Sequence, residues 1–312
     1  MPLPTTPQKP TSVQPGGGTC MAIELAWAAF RKFWLRLLFP GYVEAMLAKR
    51  KGTCPDCPHD IIDSRDLKYT RNVCGYYFEP EDDPYAYRNH LGFARHGFAE
   101  MFLFTWLFLG LGGVCVWLAL DVHWLFWIPL GALALLELEI ITFFRDPERE
   151  IPPERDVLVS PADGTITHIE EVDEPEFGKA LRISIFLSVF NVHVNRCPRE
   201  GEVIDVRYFP GEYLDARRSE SAVRNEQLWI DMIDSETKKP IRVKQIAGAI
   251  ARRIVCWLKA GDQLKKGERI GMIKLGSRTD VLIPADSAAE ICVNVGDSVY
   301  GGSTVLLKVK TA

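Results

Sequence analysis

Two long apolar segments dominate the hydrophobic pattern of the chain. Residues 101–120 form an uncharged run of about twenty residues, the length that a helix needs to cross the hydrocarbon core of a bilayer. After a short polar break, a second apolar run covers residues 124–144; it contains Glu137 and Glu139, so its uncharged part is short for a full crossing. The pattern predicts a helical hairpin over 98–145 that either spans the membrane or dips into one leaflet.

Basic residues flank this hairpin on its outer sides and are missing from its turn. Arg88 and Arg95 precede it, and Arg145 and Arg149 follow it. The positive-inside rule therefore places both ends, and everything after residue 145, on the cytoplasmic side of the cell membrane.

The segment before the hairpin predicts a helix and a tail. Residues 21–39 combine many aromatic and aliphatic side chains with Arg31, Lys32 and Arg36, which is typical of a helix lying in the membrane interface; an ordinary packed helix is the alternative. Residues 1–20 are rich in Pro, Thr and Gly and are expected to be a disordered tail. The organisation predicted for the front is therefore a tail, an N-terminal extension over 21–97, and the hairpin.

From residue 157 onward the pattern is that of strands. Short segments rich in β-branched residues alternate with turns, at 157–159, 181–190, 203–208, 228–233, 241–246 and 254–258. Two late segments nearly repeat each other, because 261–267 leads into 269–273 as 296–302 leads into 304–307. This turn–strand–turn order is typical of biotinyl and lipoyl domains. We therefore predict an α+β chain: a mainly β catalytic domain over 146–312, of the barrel-sandwich hybrid type, behind a helical membrane anchor.

The composition limits the class of partner that the chain can bind and indicates the redox state of its cysteines. The 312-residue chain has a net charge of −4, which argues against nucleic acid as a partner. Its eight cysteines are scattered and are expected to be reduced thiols. Cys54, Cys57 and Cys74 allow a zinc site if a histidine completes it, or are free thiols of a loop-rich cap. The candidates for the fourth ligand are His59, His90 and His96.

The pair Gly276-Ser277, predicted to lie at a turn between strands, can act on its own peptide bond. Glycine allows a strained backbone and leaves its carbonyl open to attack. The serine hydroxyl can add to that carbonyl and convert the peptide bond to an ester. Elimination then releases the upstream chain as a carboxylate, and the remaining dehydroalanine hydrolyses to a pyruvoyl group. Such a ketone binds a substrate amine and accepts the electrons that decarboxylation releases.

Two further segments offer groups that could assist the serine. Asp163 lies at a strand-to-turn corner, and His193 follows a very apolar strand. With Ser277 they could form a triad in which a base activates the nucleophile. The alternatives are a turn-forming Asp163 and a core histidine whose proton is satisfied.

Five segments occur in an order that resembles the phosphatidylserine decarboxylase family, in particular its short bacterial and archaeal form. They are 143–149 (Phe-Phe-Arg-Asp-Pro-Glu-Arg), 160–164 (Ser-Pro-Ala-Asp-Gly), 186–196 (Phe-Leu-Ser-Val-Phe-Asn-Val-His-Val-Asn-Arg), 224–226 (Arg-Asn-Glu) and 275–277 (Leu-Gly-Ser). The resemblance, over residues 98–312, implies that Asp163, His193 and Ser277 carry out self-cleavage after Gly276. It also implies a pyruvoyl cofactor on residue 277, a β chain of 1–276 and an α chain of 277–312. The implied partners are phosphatidylserine and the bilayer, and assembly into homo-oligomers is left open.

The chain departs from the family pattern at two positions. Arg196 stands where the larger branch has a second histidine, so either His193 serves both processing and decarboxylation or Arg196 takes the second task. An arginine there could pair with the substrate carboxylate or the lipid phosphate. Arg278 replaces the usual threonine after the serine, a change that the short form accepts.

Three other functions remain as alternatives on sequence grounds. A pyruvoyl decarboxylase of a soluble amino acid, or of another amino-acid-headed lipid, would use the same chemistry; the former would not need the apolar run. A biotinyl or lipoyl carrier would need a Met-Lys-Met turn, which the sequence lacks. A membrane adaptor would leave the ordered segments unexplained.

Overall fold

The computed structural model describes residues 6–174, 176–249, 253–274 and 276–310, with the backbone alone at 19 and 20. Leu275 of the motif and residues 1–5 of the predicted tail lie outside the described residues. The helices are α1 (Gly18–Leu38), α2 (Pro40–Lys49), α3 (Leu67–Thr70), α4 (Phe98–Asp121), α5 (Trp127–Phe143) and α6 (Ser221–Arg224).

The strands follow the helical part of the chain. They are β1 (Val157–Val159), β2 (Gly164–Glu174), β3 (Gly178–Leu187), β4 (Val194–Arg196), β5 (Gly201–Phe209), β6 (Gln227–Asp234), β7 (Pro240–Ala247), β8 (Arg253–Cys256), β9 (Gln263–Leu264), β10 (Arg269–Lys274), β11 (Ser277–Pro284), β12 (Ala288–Ile291), β13 (Ser298–Val299) and β14 (Val305–Val309). The main sheet is a curled, eight-stranded one in the order β13-β2-β3-β11-β7-β6-β5-β9. Two three-stranded sheets, β1-β14-β12 and β4-β10-β8, accompany it.

The prediction of a mainly β domain behind a helical front part is confirmed. Each of the predicted segments from 157–159 to 254–258 contains or overlaps a strand, because β-branched runs pack well on a pleated, half-buried surface. The strand β2 was missed, since its polar sequence shows little alternation, and the short helix α6 interrupts the β region. β11 lies between β3 and β7 and is buried at every residue, which makes it the centre of the fold.

Residues 6–17 differ from the expected disordered tail. Gln8 exchanges two main-chain hydrogen bonds with Tyr208 of β5, and the Val13 carbonyl accepts from the amide of Cys256 on β8. Val13 is fully buried. A segment rich in Pro and Gly can still pair with an existing sheet through its main chain. Composition alone therefore gave the wrong expectation for residues 6–17.

The helix α1 presents its apolar face to the outside and its charges to the protein. Trp27 and Phe33 are 63% and 59% exposed. The basic side chains face a loop that precedes α3: Arg31 pairs with Asp63 and Asp66, Lys32 pairs with Asp66, and Arg36 pairs with Asp60. The basic residues expected at lipid headgroups therefore hold α1 on the protein, and the unpartnered surface of this helix is aromatic and aliphatic.

The helices α4 and α5 form the predicted hairpin and are largely exposed. Both are long and apolar enough to cross a membrane: the most apolar stretches of 18 residues within 95–121 and 124–143 have mean hydropathies of 2.1 and 1.8. The hydroxyl of Thr105 on α4 donates to the carboxylate of Glu137 on α5 at 2.5 Å, which accounts for one of the acidic residues in the second run. These two helices could therefore span or anchor the protein in a membrane.

Candidate active site

The Gly276-Ser277 pair lies at the start of the central strand β11. Ser277 pairs with Leu187 of β3 on one side and with Ala247 of β7 on the other. Its hydroxyl oxygen is buried and has no hydrogen-bond partner among the described residues. Gly276 has a φ of +64°, a conformation that other residues adopt only with strain. A buried, unpartnered hydroxyl directly after a left-handed glycine fits a serine that reacts with the preceding carbonyl.

The carbonyl of Gly276 lies against a second glycine. A Cβ atom at Gly248 would come within 2.3 Å of the Gly276 carbonyl oxygen, closer than any Cβ contact tolerates. Gly248 directly follows β7, the strand that pairs with Ser277. Only glycine therefore allows the scissile carbonyl to occupy this position.

His193 lies in the loop between β3 and β4, and its ring reaches the main chain of Gly276. Its Nε2 atom accepts from the main-chain N–H of Gly276 at 3.4 Å. Its Nδ1 atom lies 2.8 Å from the carbonyl oxygen of Asn191, which can only accept, so Nδ1 carries the proton. The lone pair of the imidazole therefore faces the main-chain N–H of Gly276, one peptide unit before the Gly276-Ser277 bond.

The environment of His193 keeps its imidazole neutral. Burial lowers the pKa of His193 to about 4; the Asn191 carbonyl opposes this shift and the positive charge of Arg145 adds to it. A neutral imidazole at ordinary pH can accept a proton from a neighbouring hydroxyl, as a general base must.

The base of the hairpin packs directly on this histidine. Phe143, the last residue of α5, places its ring 4.3 Å from the His193 ring, centroid to centroid. The guanidinium of Arg145, two residues later, donates to the main-chain oxygen of Phe190 at 2.6 Å. The loop that carries His193 is thus held by the end of an apolar helix.

The hairpin is also tied to the strand that leads into the scissile bond. Glu100, in the first turn of α4, forms ion pairs with Lys274 of β10 and with Arg253 of β8. Lys274 is buried and lies two residues before Gly276; burial lowers its pKa, and Glu100 opposes this shift. Both ends of the hairpin therefore contact the site, one through Phe143 and the other through Glu100.

Asp163 does not contact His193 among the described residues. Its carboxylate accepts from the guanidinium of Arg149 at 2.6 Å and from the amide of Gly301 at 2.7 Å. Burial raises the pKa of Asp163, and these two donors oppose the shift. Asp163 precedes β2, which is separated from β11 by β3, so it lies two strands, or about 10 Å, from Ser277. The triad predicted from the sequence is thus not assembled, because the Asn191 carbonyl takes the place at Nδ1.

Arg196, the tentative substrate ligand, lies in a buried ion pair. Its guanidinium donates to the carboxylate of Asp146 at 2.7 Å and to the main-chain oxygens of Pro147 and Gly267 at 3.1 Å. Asp146 also pairs with Arg269. Three acceptors and a buried position give Arg196 a structural role in connecting the segment after the hairpin to β4 and β10.

The structure corrects the expectation that the cysteines of the extension are all reduced. Cys54 and Cys57 form a disulfide, whereas Cys74, Cys115, Cys197, Cys256 and Cys292 are free. The sulfur atoms of Cys54, Cys57 and Cys74 all lie within 4.8 Å of one another, and no histidine of the described residues joins this group. The candidate fourth ligands lie elsewhere: His59 beside Tyr69, His90 near Glu148, and His96 against the ring of Trp257.

Sequence reasoning missed several residues that shape the site. In the sequence, the segment 143–149 supplied two flanking arginines and one part of the resemblance; in the structure, Phe143 contacts His193, Asp146 pairs with Arg196, and Arg149 pairs with Asp163. Asn191 and Gly248 act through main-chain atoms or through the lack of a side chain. The one sequence feature that could have indicated these contacts is the compact motif Phe-Phe-Arg-Asp-Pro-Glu-Arg, which directly follows an apolar run.

Comparisons with known proteins show the family of the chain. The family model described as phosphatidylserine decarboxylase matches residues 137–307, more than half of the chain. A phosphatidylserine decarboxylase proenzyme of Rhodopirellula baltica is 45% identical over 244 residues, which cover 78% of this chain and 98% of the relative. Proteins of the same name from Symbiobacterium thermophilum and Desulfotalea psychrophila are 47% and 49% identical over 64% and 53% of this chain, covering 92% and 76% of those relatives. The chain therefore belongs to the phosphatidylserine decarboxylase family.

Proposed function

We propose that this chain is the proenzyme of a decarboxylase that converts phosphatidylserine to phosphatidylethanolamine after cutting itself between Gly276 and Ser277. One observation carries the proposal: the neutral imidazole of His193 accepts from the main-chain N–H of a left-handed Gly276, and the next residue is Ser277, whose hydroxyl is buried and has no hydrogen-bond partner among the described residues. Cleavage produces a β chain of 1–276 and an α chain of 277–312 that remain in one fold, because β11 stays paired with β3 and β7.

Self-cleavage uses groups that already lie at the scissile bond. His193 Nε2 takes the proton of Ser277 Oγ, and Oγ attacks the carbonyl carbon of Gly276. The peptide C–N bond then breaks as the Ser277 nitrogen takes up that proton, which leaves an ester between Gly276 and Ser277 Oγ. Loss of the Ser277 α-proton then expels Gly276 as a carboxylate and leaves dehydroalanine. Water converts this residue to a pyruvoyl group and releases ammonia. Because the reaction happens once per chain, a base whose pKa is about 4 is adequate even though it is weak.

The pyruvoyl group, once formed, supplies a ketone that binds the amine of the substrate and accepts the electrons released with carbon dioxide. We place His193 as the group that returns a proton to the substrate Cα, because its Nε2 atom lies 3.4 Å from the main-chain nitrogen of Gly276, the residue directly before 277. Asp163 supports the site from a distance: as a buried carboxyl of the β chain, it holds Gly301 of the α chain. Arg196 positions β4 through Asp146, and a direct contact between Arg196 and the substrate is not part of the proposal.

The membrane is proposed to present the lipid headgroup to this site. Phe143 at the end of α5 contacts His193, so a hairpin embedded in a bilayer would hold the reacting groups at the lipid surface. The exposed aromatic face of α1 is proposed to lie in the same interface. The basic residues outside the hairpin support the cytoplasmic side, and the two turn–strand–turn segments support a barrel-sandwich arrangement of the last strands.

Intact mass spectrometry of the purified wild-type protein tests the cleavage. We expect two chains divided after Gly276, with the smaller one lighter by one ammonia than a peptide that begins with serine. The Ser277→Ala variant should remain a single chain and should release no carbon dioxide from phosphatidylserine in detergent micelles. Decarboxylation by the uncut variant would contradict the scheme, and a wild-type enzyme that decarboxylates free serine as readily as the lipid would favour a soluble substrate.

A further inference from the structure

The three cysteines of the N-terminal extension form a cluster that the decarboxylation does not use. The Sγ atoms of Cys57 and Cys74 are 3.1 Å apart, and all three sulfur atoms lie within 4.8 Å of one another. Sulfur atoms bound to one tetrahedral metal ion lie under 4 Å apart, since zinc–sulfur bonds are about 2.3 Å long. A small movement away from the disulfide would therefore bring all three to one ion.

The backbone around the cluster is arranged as a clamp. Lys51 and Tyr77 exchange two main-chain hydrogen bonds, of 2.9 and 3.0 Å, so the chain before Cys54 pairs with the chain after Cys74. The main-chain N–H of Tyr76 donates to the Sγ of Cys74 at 3.4 Å. The Lys51–Tyr77 pairing therefore keeps the segment of Cys74 beside that of Cys54.

Two other free cysteines provide a contrast. Cys197 and Cys256 are fully buried, and burial raises the pKa of both thiols. Each lies among apolar residues of the sheet core and belongs to no cluster of three or more potential metal-ligating side chains among the described residues. Burial alone thus does not explain why three cysteines separated by up to twenty residues come together in the extension.

We propose that Cys54, Cys57 and Cys74 form a thiolate site for a soft divalent cation of the zinc class, which the Cys54–Cys57 disulfide closes when it is oxidised. A dithiol reductant opens the site: it gives two electrons and two protons to the disulfide and becomes a disulfide itself. Binding of the cation then displaces the protons of the three thiols. Water takes the fourth position, because no histidine lies in the group.

The position of the site shows what the metal would stabilise. Next to Cys74, the Asn72 side chain donates to the main-chain oxygens of Cys256 and Leu258 at 2.8 and 2.6 Å, and Lys259 donates to the Cys74 oxygen at 3.2 Å. Cys256 ends β8, the strand that pairs with β10. The metal would therefore fasten the extension to the part of the catalytic domain that leads into the scissile bond.

Metal binding by the full-length wild-type protein tests the proposal without any assay of decarboxylation. The protein is reduced with a dithiol under anaerobic conditions, freed of reductant and titrated with zinc or with cobalt. We expect one ion per chain, and for cobalt the thiolate charge-transfer and tetrahedral ligand-field bands. Cys74→Ser should weaken binding by roughly tenfold or more, since even the loss of an outer hydrogen-bond partner of a ligand costs roughly 10–100-fold. Cys292→Ser, which changes an exposed cysteine outside the cluster, is the matched control and should bind as the wild type does.

Alkylation of the reduced wild-type protein, mapped by peptide mass spectrometry, covers the case in which Cys74→Ser does not fold. Zinc should slow the modification of Cys54, Cys57 and Cys74 together and leave that of Cys292 unchanged. The proposal is overturned if reduced wild-type protein binds no metal, if Cys74→Ser binds as tightly as the control, or if zinc does not protect Cys74.

Discussion

The two reacting groups of the site are held by different kinds of structure. Ser277 belongs to β11, which is paired by main-chain hydrogen bonds with β3 on one side and β7 on the other. His193 lies in a loop, and its ring is held by the carbonyl of Asn191 and by the ring of Phe143. The proposed nucleophile is thus fixed by the backbone of the sheet, whereas the proposed base is positioned by contacts with a loop and with the hairpin.

This difference predicts which changes the site tolerates. Main-chain ladders persist when an exposed side chain is replaced, so the position of Ser277 should be insensitive to most substitutions that leave the sheet folded. The position of His193 should respond to the packing of α5, and therefore to how the hairpin is seated. The proposed membrane anchor would then position the proposed base as well as attach the protein to the membrane.

Replacing the base should have the largest effect on processing. His193→Ala removes the group that accepts the proton of Ser277, and general bases contribute roughly 10²- to 10⁴-fold to a rate. We expect precursor to accumulate uncut, as seen on a denaturing gel after cell-free synthesis. His168→Ala changes a partly exposed histidine of β2 and is the matched control. Processing of His193→Ala at the wild-type rate would show that another group is the base.

A substitution on the side of the sheet tests whether the scissile carbonyl needs its position. Gly248→Ala would place a methyl group 2.3 Å from the Gly276 carbonyl oxygen, so the carbonyl must move away from Ser277 or the end of β7 must shift. Overpacking of this kind costs about 1–3 kcal/mol, which corresponds to roughly 10- to 100-fold slower cleavage if the cost falls on the reactive geometry. The same denaturing-gel assay of precursor made by cell-free synthesis measures the rate of cleavage.

The control for this variant is Gly41→Ala, because a Cβ at Gly41 meets open space. Equal cleavage rates for the two variants would mean that the sheet accommodates the methyl group without moving the carbonyl.

The sequence predicted the strands better than it predicted the contacts around the site. Segments such as 228–233 and 241–246 could be assigned because β-branched residues favour a pleated, packed surface wherever they occur. Ser277, His193 and Asp163 were named through the resemblance, but their mutual contacts depend on strand register and loop path. The role of Asn191 could not be predicted because it acts through a main-chain carbonyl, which every residue has.

The extension was harder to predict, for a related reason. The charges of Arg31 and Lys32 suggested a basic surface, yet both side chains are paired with aspartates about thirty residues later in the chain. A pattern within one helix shows which side chains share a face, but it does not show which of two faces the protein covers. The exposed aromatic face of α1 could only be assigned once its partner segment was placed.

A change at the base of the hairpin should reduce processing by less than the loss of the base itself. Phe143→Leu keeps an apolar side chain but removes the ring that lies 4.3 Å from the His193 ring. We expect a several-fold slower cleavage, because the imidazole gains freedom to turn away from Gly276, at a stability cost of about 1 kcal/mol. Phe102→Leu, at an exposed position on α4, is the control. A variant that processes at the rate of the control would show that Asn191 alone is sufficient to hold the base.

A change of pH between about 8 and 5 should have the smallest effect on the rate of cleavage. This measurement tests whether His193 is a neutral base in that range. Burial lowers the pKa of His193 from an ordinary value of 6.5 to about 4, so Nε2 stays unprotonated across this range and the rate of cleavage should remain flat. Below about pH 4 the rate should fall roughly tenfold per pH unit as the imidazole becomes protonated.

The unfolded chain takes up this proton already near pH 6.5, so the free energy of unfolding should decline as pH falls from 6.5 to 4, by up to about 3 kcal/mol. The rate of cleavage of freshly made precursor, measured at several pH values, distinguishes a buried His193 from an exposed one. With an exposed histidine the rate would begin to fall near pH 6.5. Such an early fall would mean that the histidine is solvated during the reaction, and that the packing of the hairpin on His193 is looser than the structure shows.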